Sequence, residues 1–290
     1  MGFVEPRADI REFLTTRRAK VTPEQAGLTT YGRNRRVKGL RREEVAMLAG
    51  ISVEYYTRLE RGNAAGVSED VLDGVAGALQ LDEAERAHLF DLVRAANTTT
   101  GATRRSPSQQ RVRPTVQRIL DSITAPAYLR NGRLDILAAN SLGFALYSPV
   151  FEDLAGTANM ARFIFLSPRA SDFFCDWERI ANDAVAILRA EAGRDPYDKR
   201  LSDLIGELST RSDEFRIRWA AHNVKFHRTG AKTLHHPVVG DLILDYEALE
   251  LAGDTGQRIL VYSAEPASRS QEALDLLASW ASAPAPTPDR

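Results

Sequence analysis

Residues 39–62 constrain the fold of this 290-residue chain more than any other segment. Apolar side chains recur there at the three-to-four-residue spacing of a helical face, at Val45, Leu48 and Ala49. Gly50 comes next, and glycine adopts the positive φ that a sharp turn between two helices requires. Ser52 then occupies an N-cap position, so a second amphipathic helix is predicted to run to about Arg61, where Gly62 ends it.

Basic residues concentrate around this helical pair. Residues 1–61 hold thirteen Lys and Arg against eight Asp and Glu, whereas residues 114–290 hold nineteen against twenty-four. The net charge of −1 therefore hides a polarised molecule. A basic face attracts phosphate whatever the total charge is. Two helices joined by a sharp turn are typical of the helix-turn-helix, whose second helix enters the major groove, so double-stranded DNA is the expected partner.

Composition excludes several classes of protein. The single cysteine, Cys175, cannot form an internal disulfide and is typical of a reducing compartment. No apolar run reaches the ~20 residues of a membrane span. The first residues are charged and lack the apolar core of a signal peptide. We therefore expect a cytoplasmic, nucleoid-associated protein that does not contact a membrane.

The chain divides into two predicted domains. Residues 1–96 are expected to form an all-α domain of five helices: one over 7–18, the pair described above, one capped by Ser68 and one that Asp82 begins. Residues 97–113 are polar and basic, which indicates a linker. Residues 283–290 are rich in proline and are expected to be a disordered tail.

Residues 114–282 differ in composition, since sixteen of the twenty-two aromatic residues lie there. Asn131-Gly132 predicts a two-residue hairpin loop between strands 127–130 and 134–138. Further strands are predicted near 232–235, 241–251 and 257–263, and helices over 115–122, 140–147, 176–192, 200–209, 212–223 and 270–281. This order predicts an α+β domain with one antiparallel sheet and helices over one of its faces.

Chemistry-bearing motifs are sparse. The sequence contains no glycine-rich phosphate loop, nucleophile elbow or zinc-binding array, so we expect neither an enzyme nor a required cofactor. His222, His227, His235 and His236 fall within fifteen positions but lack a ligand spacing, so we expect no metal site and interpret them as hydrogen-bonded side chains beside a sheet. Cys175 follows two phenylalanines and is interpreted as a core residue rather than a redox sensor.

Several long segments resemble a known family. After the helical pair come GNAAGVSEDVLDGVAGALQLDEAERAHLFDLVRAAN, then YLRNGRLDILAAN, ARFIFLSPRASDFF, IGELSTRSDEFRIRWAAHNVKFHRTGAKTLHHPVVGDLIL and VYSAEP. The first part resembles XRE-type helix-turn-helix regulators, and the second resembles the MmyB-like ligand-binding domain of transcription regulators. The resemblance implies a multidomain regulator, an all-α DNA-binding domain fused to a PAS-like domain. It also implies a homodimer and a fatty acid or similar amphipathic effector.

The resemblance assigns DNA-binding roles by position. It offers Arg42 to a phosphate, with Arg41 beside it, and places Ser52 at the DNA backbone. Val53, Glu54 and Arg58 would face base edges, since one helical turn separates Glu54 from Arg58. Arg58 suits a guanine, Glu54 a cytosine amine, and Val53 either meets a thymine methyl or contributes little. Tyr55 would border the DNA backbone, Tyr56 and Leu59 would pack inward, and Glu60 would be a structural ion-pair partner.

The ligand pocket is predicted from apolarity and family position. Its candidates are Phe163, Phe165, Phe173, Phe174, Trp177, Ile180 and Trp219. An ordinary hydrophobic core is the alternative for each of them. A fatty-acid carboxylate needs a hydrogen-bond donor, for which His222 is the first candidate, with Arg218 and Tyr262 behind it.

Two other functions fit the same residues. The protein could be a constitutive DNA-binding dimer whose C-terminal domain only joins two copies, which a fully packed domain would favour. It could also be an enzyme that the first domain recruits to DNA, which a metal in the purified protein would favour. The main hypothesis remains a ligand-responsive transcription regulator.

Overall fold

The computed structural model describes residues 6–28, 35, 37–97, 112–152, 157–221, 229–254 and 256–281. These residues form two compact units. The first unit contains the described residues within 1–104, 186–207 and 216–226, and the second those within 105–185, 208–215 and 227–290. Most of the predicted linker and the predicted tail lie outside the described residues.

The first unit contains the five helices predicted for it. They are α1 (Pro6–Lys20), α2 (Arg42–Leu48), α3 (Val53–Glu60), α4 (Glu69–Ala78) and α5 (Glu83–Asn97). Ser68 caps α4, accepting a hydrogen bond from the Val71 amide at 3.4 Å. Asp82 and Glu85 each accept from the other's amide ahead of α5, which is a reciprocal cap. The helices enclose one core that includes Ile10, Phe13, Tyr56, Leu59, Val75 and Leu89.

Nine further helices follow in the described part of the chain. They are α6 (Pro114–Ser122), α7 (Ser141–Leu146), α8 (Ser148–Glu152), α9 (Met160–Leu166), α10 (Ala170–Phe173), α11 (Trp177–Arg194), α12 (Lys199–Arg211), α13 (Asp213–Ala220) and α14 (Arg269–Ala281). Residues of α11 from 186 onward group with the first unit, where Ala190 packs against its core.

The second unit is built on a five-stranded antiparallel sheet, as predicted. Its strands are β1 (Ala127–Arg130), β2 (Ile136–Ala139), β3 (Thr229–His236), β4 (Gly240–Glu250) and β5 (Arg258–Ser263), in the order β2-β1-β5-β4-β3. β5, the last strand in the chain, lies between β1 and β4 and so joins the β1–β2 pair to the β3–β4 pair. This arrangement brings residues from distant parts of the sequence side by side.

Strand register sorts the side chains onto two faces. Tyr128 pairs with Leu260, Tyr262 pairs with Tyr246, and Lys232 pairs with Leu244, so these residues share one face. The opposite face carries Ala127, Leu129 and Ile259, which form a small core with Val116 and Leu120 of α6. Tyr147, which caps the end of α7, packs on Tyr262 on the first face, so helices contact both faces and the expectation of helices over one face is wrong.

The predicted two-residue hairpin is wrong in its length. Arg130 pairs with Ile136, so five residues connect the strands, and the ladder is irregular between Leu129 and Arg130. Asn131 causes this, because its side-chain oxygen accepts hydrogen bonds from the amides of Arg133 (2.9 Å) and Asp135 (3.0 Å). An asparagine that folds its own backbone in this way offers an alternative to the tight hairpin turn.

Candidate nucleic-acid interface and ligand site

The turn between α2 and α3 has the geometry that the sequence predicts. Gly50 has a φ of 69°, which an L side chain rarely adopts. Ser52 accepts a hydrogen bond from the Tyr55 amide at 3.1 Å and so caps α3. Tyr56 and Leu59 are fully buried, as expected, and fix α3 against the core of the first unit.

One side of α3 presents a shallow concave surface to solvent. It encloses ≈ 560 Å³ and is lined by Val53, Glu54, Thr57, Arg58, Arg61 and Asn63. Three of these are the predicted base-facing residues, which the structure therefore brings together. The sequence reasoning missed the other three, although Thr57 and Arg61 lie one helical turn from Val53 and Thr57, respectively.

Arg58 is positioned by its neighbour. Its guanidinium carbon lies 4.8 Å from the centre of the Tyr55 ring, a cation–π contact. Arg58 is exposed, and Tyr55 is half-buried. A ring beneath a guanidinium limits its motion, so the donors of Arg58 are held at the surface that Glu54 shares.

Glu60 is a buried carboxylate at the end of α3. It is 2 % exposed and accepts a hydrogen bond from Arg18 Nε on α1 at 2.6 Å. Arg42 Nε of α2 donates to its other oxygen, and the Tyr56 hydroxyl lies 3.4 Å away. The ion-pair role expected for Glu60 is confirmed. Arg42, the predicted phosphate ligand, is 49 % exposed and is held at one end by this carboxylate.

A second ion pair organises the entry to α2. Arg35 donates to both carboxylate oxygens of Glu44, at 2.7 and 2.6 Å, and Glu44 also accepts from the Arg41 amide at 2.6 Å. The hydrogen bond from Arg35 lowers the pKa of Glu44. The Arg41 side chain remains exposed at the N-terminal end of α2. Phosphate is favoured at a helix N-terminus, which is consistent with the predicted place of Arg41.

Gly62 lies where the chain leaves α3 and passes close to α1. It has a φ of 85°, and a Cβ built there would lie 2.2 Å from the carbonyl oxygen of Arg7 on α1. That distance is shorter than real Cβ contacts, and the obstructing atom belongs to the backbone. Only glycine therefore allows the chain to leave α3 so close to α1.

Aromatic side chains cluster over the sheet of the second unit. Phe163 of α9 lies 5.9 Å from Phe173 and 6.1 Å from Phe174, and Phe173 lies 5.8 Å from Tyr147, all between ring centres. All four are at most 3 % exposed. The structure thus gathers three of the predicted pocket residues and adds Tyr147, which the sequence analysis did not single out.

Three more predicted pocket residues lie in the second unit. The Phe165 ring is 6.2 Å from that of Trp177 and 5.1 Å from that of Phe215. Trp177 is half-buried and donates from Nε1 to the Ile164 carbonyl at 3.0 Å. Ile180 is 6 % exposed on α11. These residues form a second apolar group between α9 and the start of α11.

The remaining candidates are placed differently. Trp219 belongs to the first unit, where the guanidinium carbon of Arg189 lies 4.1 Å from its ring centre and Arg189 donates to its carbonyl oxygen. Arg218, the second candidate for the head group, is half-buried in the same unit. His222, the first candidate, lies outside the described residues.

Tyr262 sits in a buried network of hydroxyl groups. Its oxygen accepts hydrogen bonds from the Tyr147 hydroxyl (2.8 Å) and from Lys232 Nζ (3.0 Å), and its own hydroxyl lies 3.5 Å from that of Tyr128. Burial raises the pKa of all three tyrosines. Burial, and then the charge of Arg130, lowers the pKa of Lys232 to about 7.

The histidines of β3 form hydrogen bonds, as interpreted from the sequence. His235 Nδ1 lies 2.5 Å from an Asp241 oxygen, and His236 Nε2 lies 3.0 Å from the Ala145 carbonyl. Burial lowers the pKa of His236. Among the described residues, no group of three metal-ligating side chains occurs. His227 lies outside them.

The core interpretation of Cys175 is wrong. Phe173 and Phe174 are buried, but Cys175 is exposed. The Cys175 amide donates a hydrogen bond to the carbonyl of Thr233, on the edge strand β3, at 3.2 Å. The apolar run predicted burial for all three residues. In the structure the buried run ends at Phe174, directly after α10.

Comparisons with known proteins agree with this architecture. The model of the MmyB-like transcription regulator ligand binding domain matches residues 112–277, and that of a helix-turn-helix domain matches residues 10–89. No curated protein gave a match to the chain. Within the described residues, none of the helices has the length and apolarity of a membrane span. The protein is a DNA-binding transcription regulator with a ligand-binding domain, and the chain belongs to the family of MmyB-like transcription regulators.

Proposed function

We propose that this regulator binds its operator as a homodimer and that a fatty acid, or a similar amphipathic molecule, in its C-terminal domain changes its affinity for DNA. It acts on the nucleoid in the cytoplasm. The aromatic cluster of Phe163, Phe173, Phe174 and Tyr147 carries the effector part of the proposal. Apolar and aromatic side chains with a few convergent polar groups are the usual lining of a small-molecule site.

The DNA part rests on the surface of α3. Val53, Glu54 and Arg58 are exposed together, whereas Tyr56 and Leu59 are buried. A single recognition helix makes few base contacts, so operator affinity requires two copies that read half-sites about one helical turn apart. The dimer supplies this second copy.

The effector should show a dependence on chain length. Each methylene buried from water contributes ~0.8 kcal/mol, so affinity rises with the acyl chain until the apolar surface is filled. The effector must also bind one conformation of the protein better than the other, since otherwise it cannot alter DNA affinity.

Calorimetry with fatty acids of graded length, with and without operator DNA, tests the proposal. The operator is first selected from random-sequence duplexes. Trp177→Leu should weaken the acids or shift the preferred length, because Trp177 packs on Phe165. Trp280→Leu is the matched control, since Trp280 is 57 % exposed on α14. Heats that do not depend on length would exclude the fatty-acid effector.

The constitutive dimer remains the second candidate, and the close packing of the aromatic rings favours it. Phe173 and Phe174 lie 4.9 Å apart between ring centres, as in an ordinary core. Sedimentation of the full chain at tens of micromolar tests the dimer itself. The full chain is required because residues 186–207 group with the first unit, so a fragment beginning at Pro114 would lack their partners. A dimer without acid binding would support this second function, and a monomer would contradict both.

A further inference from the structure

The hydroxyl group of Tyr262 contacts polar groups of three other side chains, each from a separate segment of the chain. Tyr262 of β5 accepts from Tyr147, which follows α7, and from Lys232 of β3, and lies within 3.5 Å of the Tyr128 hydroxyl on β1. Both lone pairs of the Tyr262 oxygen are therefore used. The three tyrosines are at most 2 % exposed, and Lys232 is half-buried.

The ammonium of Lys232 is not neutralised within this network. It has three N–H donors, one of which is matched by Tyr262. Its nitrogen lies 4.9 Å from the centre of the Tyr246 ring and 5.4 Å from that of Tyr262. Within the part of the chain that the structure describes, no carboxylate lies within 4.0 Å of it. A cation withdrawn from water in this way is costly unless an anion accompanies it.

The charged groups around Lys232 are mostly cations. Arg130 is 3 % exposed, and its charge lowers the pKa of Lys232, as does that of Arg179. Asp183 is the carboxylate whose charge opposes them, and it lies 3.7 Å from Arg179 Nη1. Arg179 also pairs with Asp176, whose Oδ2 lies 2.7 Å from Arg179 Nε. The charges of Arg130 and Arg179 act on Lys232 in the direction that favours a bound anion beside it.

The same network adjoins the aromatic cluster. The Tyr147 hydroxyl donates a hydrogen bond to that of Tyr262. The Tyr147 ring packs on Phe173, and Phe173 in turn packs on Phe163. One side chain therefore joins a cationic, hydroxyl-rich end to an apolar surface. An amphipathic acid has the matching distribution, with a carboxylate at one end of a hydrocarbon chain.

We propose that Lys232 Nζ binds the carboxylate of an amphipathic acid and that the Tyr262–Tyr147 hydroxyl pair positions this ammonium. The inference rests on the proposed effector function and specifies which end of the effector is bound by which residue. It assigns the head group to β3 and β5, where the sequence had suggested His222. The charge-assisted hydrogen bond is stronger than a neutral one, so it selects acids over alcohols.

Titration calorimetry on the full-length protein tests this assignment with dodecanoate and 1-dodecanol as probes. Lys232→Met should weaken dodecanoate by about 10- to 100-fold, the range for a hydrogen bond to a charged group, and leave dodecanol nearly unchanged. Lys199→Met is the matched control, because Lys199 is 84 % exposed on α12. Tyr262→Phe removes the hydroxyl but keeps the ring. It should also reduce the preference for dodecanoate over dodecanol.

The outcomes separate the inference from the function beneath it. If Lys232→Met and Tyr262→Phe leave the ratio of acid to alcohol affinity unchanged while the wild type binds both probes, the head-group assignment is wrong and the effector function stands. If the wild type binds neither probe, both are wrong. Circular dichroism of each variant identifies one that fails to fold, in which case the other variant decides.

Discussion

Arg42 donates from Nε to Oε2 of Glu60, a carboxylate that is only 2 % exposed. Arg18 donates to the other oxygen of Glu60 at 2.6 Å. The last residue of the recognition helix is thereby tied to α1 and α2 at once. The arginine predicted to bind a DNA phosphate thus also belongs to the scaffold that orients α3.

Glu60→Gln should lower the free energy of unfolding by about 3 kcal/mol, because Arg18 would stay in place without its counter-charge. Denaturant unfolding without DNA measures this loss. Glu54→Gln is the control on the same helix, and should change stability by less than about 0.5 kcal/mol since Glu54 is exposed. Equal stabilities of the two variants would show that the Glu60 network does not hold the fold.

Arg58→Ala should weaken binding to the selected operator by ~1–3 kcal/mol, the value of a bidentate contact to a base. Its binding to unrelated DNA should change little, because a base contact is lost rather than a general attraction. Fluorescence anisotropy with both duplexes gives the two affinities. Arg94→Ala, an exposed arginine on α5, serves as the comparison. Unchanged operator affinity for Arg58→Ala would mean that α3 docks differently.

Arg42→Ala should weaken binding to operator and unrelated DNA alike, and should flatten the dependence of log affinity on log salt by about one unit. The Arg42 side chain is 49 % exposed although its Nε is bound to Glu60, so it can reach a phosphate. Titrations at several salt concentrations measure the slope. A loss confined to the operator would instead assign Arg42 to sequence reading.

Lys232→Met should flatten the dependence of stability on pH above neutrality. Burial, then Arg130, lowers the pKa of Lys232 to about 7, whereas the unfolded chain keeps the ordinary value of 10.5. Between these values the unfolded state binds more protons, so the free energy of unfolding of the wild type rises with pH. The slope is at most ~1.4 kcal/mol per pH unit, and partial exposure of Lys232 reduces it.

Denaturant unfolding of wild type and Lys232→Met across this pH range measures the difference. The wild type should gain stability relative to the variant as the pH rises, and the gap between the two should close. If the free energies of unfolding of the two proteins change with pH in parallel, Lys232 stays protonated in the folded state over this range. The buried tyrosines, whose pKa burial raises above the ordinary value of 10.0, affect stability only near and above that value, and they are present in both proteins.

The sequence predicts the first unit well because its signals are local. Ser52 and Ser68 cap the helices that follow them, and Gly50 makes the turn that its position requires. Each of these effects involves residues within four positions of one another. Such signals do not depend on how the rest of the chain folds.

Non-local structure was harder to predict in the second unit. The helices α8, α9 and α10 were not predicted, because each has fewer than eight residues and the run from Met160 to Leu166 is apolar except for Arg162. Lys232 was not a candidate, since only the sheet order brings β3 within reach of Tyr147 and Tyr262. The contacts of Tyr262 with Lys232 and Tyr147 join residues 30 and 115 positions apart, and such contacts leave no periodic trace in either segment.

The candidate DNA surface was predicted in part. Glu54 and Arg58 follow from helical spacing, and the same spacing identifies Thr57 and Arg61. Asn63 lies beyond α3 and is held there by the C-terminal cap, in which Gly62 has a φ of 85° and the Asn63 amide donates to the Arg58 carbonyl at 3.1 Å. Helical periodicity ends with α3 and does not place the residues that follow it.

Under the proposed docking of α3, Gly62 limits how operator preference can be changed in this protein. The side chains at Val53, Thr57, Arg61 and Asn63 line open surface, so substitutions there alter what α3 offers to DNA without disturbing the core. Any side chain at position 62 would collide with the backbone of Arg7. A library of variants at these positions must therefore keep Gly62 unchanged. Otherwise many of its members will differ in folding rather than in specificity.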